Sequence, residues 1–321
     1  MMDCAVPNPC PVVARACRVR RFGGPEAITT EDVEVPWPTA GQARLRVCAA
    51  GVGPWDAWIR AGKSALPQPL PLTLGADLAG VIDAVGDGVS GLVVGQRVFG
   101  TTNARFTGAY AETAIADAGR LALKPDNVSD VVAAATPVVA VTAWQAVFEE
   151  AKLKRGETVV IHGAAGGVGA FAVQLASAAG IHVIGTAKAS DIAFVLTLGA
   201  QEAIDYRTEH FESQAQNVDA VIDLVGGETQ ARSFGVLRRG GRLISTVSPP
   251  DPVLASRSGV EARFFLVEVT TSRLERIAPM LASGLLSADV GAVLPLADAR
   301  TAHEMLDGSR PKPRGKIVLS P

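Results

Sequence analysis

Seven residues constrain this chain more than any others. Gly163-Ala164-Ala165-Gly166-Gly167-Val168-Gly169 stand between a short apolar run, Thr158–His162 (TVVIH), and an alanine-rich run over residues 168–179. The first run reads as a buried strand, and the second as a helix that Gly180 stops. A chain that passes from buried strand through a glycine-rich turn into a helix gathers free backbone N–H groups and the positive end of the helix dipole at one point. Small residues let an anion come close to that backbone, and a pyrophosphate fits the arrangement. Ala165, Gly166, Gly167 and Val168 are the candidate contacts.

The same texture continues downstream. Residues 181–186 (IHVIGT) read as the next strand, 192–198 as a helix ending at Gly199, and 203–206, 220–224 and 241–247 as three further strands. Strands alternating with helices predict an α/β fold with a central, doubly wound parallel sheet of the Rossmann kind. Upstream the pattern differs. From Ala14, short β-type runs (ARACRVRRF, ARLRVCAAGV, LAGVIDAVG, QRVFG) are broken by Gly-Pro, Pro-Trp-Pro and Gly-Asp-Gly turns, which predicts an irregular, mainly-β domain. After Phe264 a helix over 272–283 carries Leu274, Ile277 and Leu281 on one face. A second spans 299–306, and Lys316–Ser320 is a closing strand. Residues 1–13 read as a disordered extension.

Composition limits what such a chain does. With 321 residues, 48% hydrophobic and 19% charged, it has enough apolar matter for two domains and too much for disorder. A net charge of −2 offers no footprint for nucleic acid or an anionic membrane. Residues 131–148 run without a charge, but Pro137, two threonines and Gln145 interrupt them, so a buried connection is expected rather than a membrane span. Cys4, Cys10, Cys17 and Cys48 match no zinc or disulfide spacing, which suits a reducing cytosol. The N-terminus has no basic n-region and is not read as a signal peptide.

The end of the second parallel strand bears on which nucleotide binds. Where an acid would hold a ribose 2′-hydroxyl, the chain reads Gly185-Thr186-Ala187-Lys188-Ala189-Ser190. One cation and two hydroxyls suit a 2′-phosphate, so NADPH is expected over NADH, with Lys188 as the discriminating side chain.

These features, taken with Phe22-Gly23-Gly24-Pro25-Glu26, Gly75-Ala76-Asp77-Leu78-Ala79-Gly80, Gly108-Ala109-Tyr110-Ala111-Glu112, Thr142-Ala143-Trp144, Asp223-Leu224-Val225-Gly226-Gly227, Gly240-Gly241-Arg242 and Gly315-Lys316-Ile317-Val318-Leu319, carry a resemblance. The chain resembles the medium-chain dehydrogenase/reductase superfamily, in its zinc-free quinone oxidoreductase (zeta-crystallin-like) branch. The resemblance implies a discontinuous GroES-like catalytic domain, residues 1–135 and 265–321, around a nucleotide-binding domain, residues 136–264. It also implies an active-site cleft between the two, and a homodimer. Tyr206 is then expected beside the adenosine half and Thr142 near the nicotinamide. Thr246 and Val247 are expected along the cofactor, with Phe265, Leu266 and Val267 at the carboxamide. Gly53, Trp55 and Trp58 are expected to line the substrate cleft.

Zinc-dependent relatives hold their metal with Cys, His and Cys; the matching positions here are Gly53, Ala76 and Val138, none of which ligates zinc. His162, His182, His210 and His303 read as structural or surface residues. Without a metal, the chemistry expected is direct hydride transfer to a quinone or a conjugated enone or enal, whose oxyanion is delocalised. Two departures from the family pattern stand out. Gly53 replaces the usual asparagine, and Arg60-Ala61-Gly62-Lys63-Ser64 lacks the tyrosine of enoyl-thioester reductases. Tyr110 is the remaining phenol outside the nucleotide-binding domain and the candidate acid, while Asp56 reads as a structural anchor. An enoyl-thioester reductase and a catalytically idle NADPH-binding sensor or structural protein stay open as alternatives.

Overall fold

The computed structural model describes residues 11–321. They fall into two compact units. One comprises the described residues up to Pro137 with Val269–Ala278 and Val290–Pro321; the other comprises Val138–Glu268 with Pro279–Asp289.

In the first unit β1 (Val12–Val19) pairs antiparallel with β2 (Ile28–Val35) along its whole length, from Val12 opposite Val35 to Val19 opposite Ile28. Val12 and Val13 therefore belong to a strand rather than to the expected extension, because the ladder takes up their backbone groups. Pro11 precedes the strand, exposed and without secondary structure, and residues 1–10 of that expectation, with Cys4 and Cys10, lie outside the described residues. The long strand β3 (Gln42–Val52) runs into α1 (Pro54–Arg60), and β4 (Leu72–Thr73) pairs with the other edge of β1. Next come β5 (Asp77–Val85), β6 (Arg97–Thr101), β7 (Thr113–Asp117), β8 (Leu121–Leu123) and the short α2 (Asp130–Ala134). Leu45, Leu74, Leu78, Ile82, Leu121 and Tyr110 are fully buried in the core that these strands enclose.

The uncharged stretch 131–148 folds as α2, then α3 (Pro137–Trp144), which runs on into a π-helical turn at Gln145–Glu150. No helix among the described residues is long and apolar enough to cross a membrane. The second unit then alternates as expected: β9 (Thr158–His162), α4 (Gly167–Ala178), β10 (His182–Ala187), α5 (Ile192–Thr197), β11 (Glu202–Asp205), α6 (Phe211–Gln214), β12 (Val218–Asp223), α7 (Gly227–Ser233), β13 (Leu237–Ser245), α8 (Pro252–Ser258) and β14 (Glu261–Phe264). All pairings are parallel, in the order β11-β10-β9-β12-β13-β14. Val159, Val160 and Ile161 of β9 and Ala220, Val221 and Ile222 of β12 are fully buried, as central strands of a parallel sheet require. The order reverses between β9 and β12, the switch point at which such sheets bind ligands beyond their carboxyl ends. Strand β14 is absent from the pattern of the sequence: Glu-Ala-Arg-Phe is a mostly exposed edge strand with no apolar alternation.

The chain then forms α9 (Thr271–Ala282), β15 (Val290–Pro295), α10 (Ala299–Leu306) and β16 (Lys316–Ser320). Strand β16 pairs antiparallel with β3 and parallel with β15, completing a seven-stranded sheet ordered β15-β16-β3-β5-β6-β8, with β7 also on β3. Pro279–Asp289, expected with the β domain, clusters instead with the parallel sheet. The Gln174 side chain of α4 fixes it there, receiving the Ser287 N–H at 2.9 Å and donating to the Ser287 carbonyl at 3.1 Å.

Candidate functional site

The turn after β9 is built around backbone. Gly163 sits at φ +69°, a left-handed conformation natural to glycine, and its carbonyl accepts the Gly166 N–H at 2.9 Å. Gly169 must also be glycine, since a Cβ there would lie 2.2 Å from the Gly163 carbonyl oxygen. Helix α4 begins at Gly167 with no side chain capping its N-terminus. Its first N–H groups therefore have no partner within the helix. Gly166 and Gly167 are exposed, and Ala165 and Val168 half-buried. A bare, accessible helix start of twelve residues fits a pyrophosphate in both shape and charge.

The neighbouring strand ends carry the other candidates. Lys188 follows β10 directly and is 47% exposed, with Nζ 3.7 Å from Asp191 Oδ2. Asp191 is one residue beyond the stretch read as free of acids. Tyr206 follows β11, 55% exposed, and its N–H donates to the Ala187 carbonyl at 3.2 Å, which places it at the mouth of the same strand pair. Thr186 corrects the reading in which two hydroxyls serve a 2′-phosphate. It is buried, with Oγ1 turned inward to His162 Nδ1 at 3.1 Å. Only Ser190, which is exposed, keeps that possibility.

Beyond β12 and β13 the backbone is tied by a residue whose role sequence reasoning missed. Asp223 is fully buried, and its Oδ1 accepts the N–H groups of Val225 (3.0 Å) and Gly226 (2.8 Å). Its Oδ2 accepts Gln230 Nε2 and Ser245 Oγ, both at 2.9 Å. Ser245 Oγ in turn accepts the Val247 N–H at 3.2 Å, so one carboxylate shapes both loops at the sheet's carboxyl edge. An acid closing an apolar strand three residues before Gly226-Gly227 was the available signal. Thr246 is half-buried there, Val247 is 47% exposed, and the Phe265 N–H donates to the Ser245 carbonyl at 3.2 Å. Leu266 is exposed and Val267 half-buried. Thr142, within α3, is buried and donates its hydroxyl to the Val138 carbonyl at 2.6 Å.

In the first unit the candidates gather at the start of α1. Asp56 is fully buried; its Oδ2 accepts the Gly53 N–H and the Tyr110 hydroxyl, both at 2.8 Å. Burial dominates its titration and pushes the carboxyl up to about 7, against the hydrogen bonds from Gly53 and Tyr110, which pull the other way. Tyr110 is equally buried, its pKa raised well above the usual phenol value by burial first and then by Asp56. That corrects its candidacy as an acid: the hydroxyl is spent on Asp56, has no exposed surface and acts as an anchor. Lys316 Nζ meets Asp77 Oδ2 at 3.0 Å and lies 4.4 Å over the Trp55 ring. The indole fills the space above Gly53, where a Cβ would sit 2.2 Å from the ring. Trp58 faces outward, 57% exposed. Gly53, Ala76 and Val138 are all buried, and among the described residues no three His, Cys, Asp or Glu side chains are grouped to hold a metal ion.

Comparison with known proteins joins these two sites in one family. A profile described as zinc-binding dehydrogenase matches residues 198–319, and one described as alcohol dehydrogenase GroES-like domain matches residues 39–126. Quinone oxidoreductase of Sus scrofa is 34% identical over 95% of this chain and 97% of its own. The structure of the quinone oxidoreductase from Coxiella burnetii superposes with a TM-score of 0.89 at 30% identity, covering 97% of this chain and 100% of that one. Escherichia coli quinone oxidoreductase, solved in complex with NADPH, superposes at 0.87 with 28% identity over 96% and 100% of the two chains. The protein is a quinone-oxidoreductase-like enzyme, and the chain belongs to the zinc-free quinone oxidoreductase branch of the medium-chain dehydrogenase/reductase superfamily.

Proposed function

We propose that the protein is an NADPH-dependent reductase that passes hydride to a quinone or a conjugated enone or enal without zinc. The observation that carries the reading is the row of groups along the carboxyl edge of the parallel sheet. The uncapped start of α4 stands at the switch point, with Lys188 and Tyr206 at the ends of the two strands beside it. That row matches the order of a dinucleotide, pyrophosphate at the helix and adenosine ribose at the next strand. Similarity to a relative solved with NADPH supports the same assignment.

When bound, the dihydronicotinamide supplies the hydride. The chain's own part is to grip and orient. Ala165, Gly166, Gly167 and Val168 take the pyrophosphate on backbone N–H groups, Lys188 takes the 2′-phosphate, and Tyr206 flanks the adenosine. Thr142, Thr246, Val247 and the backbone of Phe265, Leu266 and Val267 complete the cofactor site. Gly53, Trp55 and Trp58 serve the substrate. With Tyr110 locked on Asp56, no side chain is assigned as proton donor, which suits quinones and enones because their reduced oxyanions are delocalised. A homodimer in a reducing cytosol completes the reading.

The test is a turnover panel of quinones, enones and enoyl thioesters with NADPH, with and without a metal chelator. Quinone or enone reduction that survives the chelator supports the proposal. Tight NADPH binding without oxidation by any acceptor would identify an idle cofactor-binding protein. Preference for thioesters would identify the enoyl-thioester alternative, and loss of activity in chelator would return the metal.

A further inference from the structure

His162 closes β9, immediately before the phosphate turn, and is 1% exposed. Both ring nitrogens are engaged: Nδ1 lies 3.1 Å from Thr186 Oγ1, and Nε2 lies 3.0 Å from Ser233 Oγ. The directions of these bonds follow from their ends. Ser233 Oγ donates its single proton to the Thr229 carbonyl at 2.6 Å, since a carbonyl only accepts. Toward His162 it is therefore an acceptor, and Nε2 carries a proton. In a neutral ring Nδ1 must then accept, and only the Thr186 hydroxyl is there to donate to it. Thr186 Oγ1 in turn accepts the Gly163 N–H at 3.4 Å, while the Thr186 carbonyl accepts the Ala164 N–H at 3.0 Å.

The result is a one-way chain of donors from Gly163 N–H through Thr186 and His162 to Ser233 and Thr229. It starts on the first residue of the phosphate turn and ends in α7. Burial holds the ring neutral, lowering its pKa to about 4; among the charged groups that act on it, Asp223 and Glu212 raise the value and Arg232 lowers it. The Phe211 ring, 4.6 Å away edge-on, fixes its plane. Were the ring charged, both nitrogens would donate and the Thr186 hydroxyl would lose its acceptor.

We propose that His162 and Thr186 are positioning residues for the phosphate turn: the chain of hydrogen bonds through their side chains holds Gly163, next to the main-chain bond from Ala164, in the conformation that presents the turn to a pyrophosphate. The proposal rests on the cofactor reading above and deepens it. It also assigns Thr186 to the part of the site common to NADPH and NADH, not to the 2′-phosphate.

Thr186→Val keeps the shape of the side chain and removes the hydroxyl. It is expected to weaken NADPH and NADH by the same factor, about tenfold, as the loss of one buried hydrogen-bonded link implies. Thr186→Ser, which restores the hydroxyl, should recover wild-type affinity to within about threefold. His162→Leu should reproduce the valine effect, and the double variant should fall short of the product of the two, because both cut one chain. Affinities are read by fluorescence titration on protein shown folded by circular dichroism. In parallel, nitrogen-15 spectra of the cofactor-free protein should show His162 as the Nε2–H tautomer. Loss of NADPH affinity alone in Thr186→Val would put the hydroxyl on the 2′-phosphate and overturn the proposal. Unchanged affinity for both cofactors in folded protein would make the chain merely structural, and an Nδ1–H tautomer would contradict its direction. Wild-type protein that binds neither cofactor would remove the cofactor reading instead, and the tautomer alone would then decide whether the chain exists.

Discussion

Replacing Lys188 by alanine should cost NADPH affinity and leave NADH almost untouched, because the 2′-phosphate is the only difference between the two. The size of the effect follows from where the side chain sits. A charge-assisted hydrogen bond in a protected site is worth about 1.5–3 kcal/mol, whereas exposed ion pairs give about 0.2–1 kcal/mol. Lys188 is 47% exposed and already has Asp191 at 3.7 Å, so its bond to a phosphate would be screened and partly exchanged for the one it holds. About 1 kcal/mol is the consistent figure, and at about 1.4 kcal/mol per tenfold this predicts about a fivefold loss. The neighbour makes a second variant informative. Asp191→Asn removes both the competitor for the ammonium and a negative charge close to the phosphate, so NADPH should bind about threefold more tightly, again with little change for NADH. Added salt should weaken NADPH more than NADH in wild type and erase much of the difference between wild type and Lys188→Ala. Dissociation constants for both cofactors, measured by fluorescence at two ionic strengths, decide the matter. Equal losses for NADPH and NADH would assign Lys188 to the fold or to the common phosphates, and a wild-type preference for NADH would refute the argument from strand β10.

Gly169→Ala should abolish binding of either cofactor, because the new methyl would lie 2.2 Å from the Gly163 oxygen and reshape the turn, whereas Gly166→Glu should abolish it in a largely intact fold by filling the phosphate space with like charge. Gly53→Asn should cost about 1–3 kcal/mol in urea melts by driving a side chain into the Trp55 indole, and Trp55→Ala in the same chain should recover part of that loss. Stability should depend on pH with opposing signs. His162 and His303, held down to about 4 and about 3 by burial, protonate in the unfolded chain first, so their contribution is lost as pH falls below about 6.5. Asp56, held up at about 7, ionises first in the unfolded chain, so its contribution is lost as pH rises from about 4 toward 7, and Asp56→Asn should flatten the decline of denaturation midpoints on that side.

The parallel-sheet unit was the more legible of the two because its signals are local. A strand, a glycine turn and a helix are neighbours in sequence, and β9, β12 and the helix after the turn fall within a residue or two of where hydrophobic periodicity places them. Strand β14 was not legible, since an exposed edge strand has no buried face to impose alternation. Side-chain commitments were hidden for another reason. Whether the Thr186 hydroxyl faces solvent or His162 depends on which face of β10 packs inward, and the acid that tempers Lys188 enters by one turn of chain after the strand. Asp56 was legible as an anchor, but the partners of the first unit's anchors were least legible of all. Tyr110 meets Asp56 across 54 residues and Lys316 meets Asp77 across 239, distances over which no spacing rule operates.

Gly53 and Trp55 gain most from being considered together. Taken singly, the glycine is the loss of a polar side chain from the family pattern, and the tryptophan is one more aromatic in a core or a cleft. In the structure they are one change. The indole lies where a side chain at 53 would start, and Gly53 at φ −126° is in a conformation open to any residue, so it is the ring and not the backbone that demands glycine. The ring is itself held by the Lys316 ammonium 4.4 Å away, which Asp77 pins at 3.0 Å. Four residues from three parts of the chain thus build an apolar surface backed by a buried ion pair where the resemblance implies a single polar group. Restoring asparagine alone would not restore the family arrangement, because the space is taken. Under the proposed function, a substrate meeting this site finds an indole rather than an amide, which favours conjugated acceptors such as quinones over small polar carbonyls.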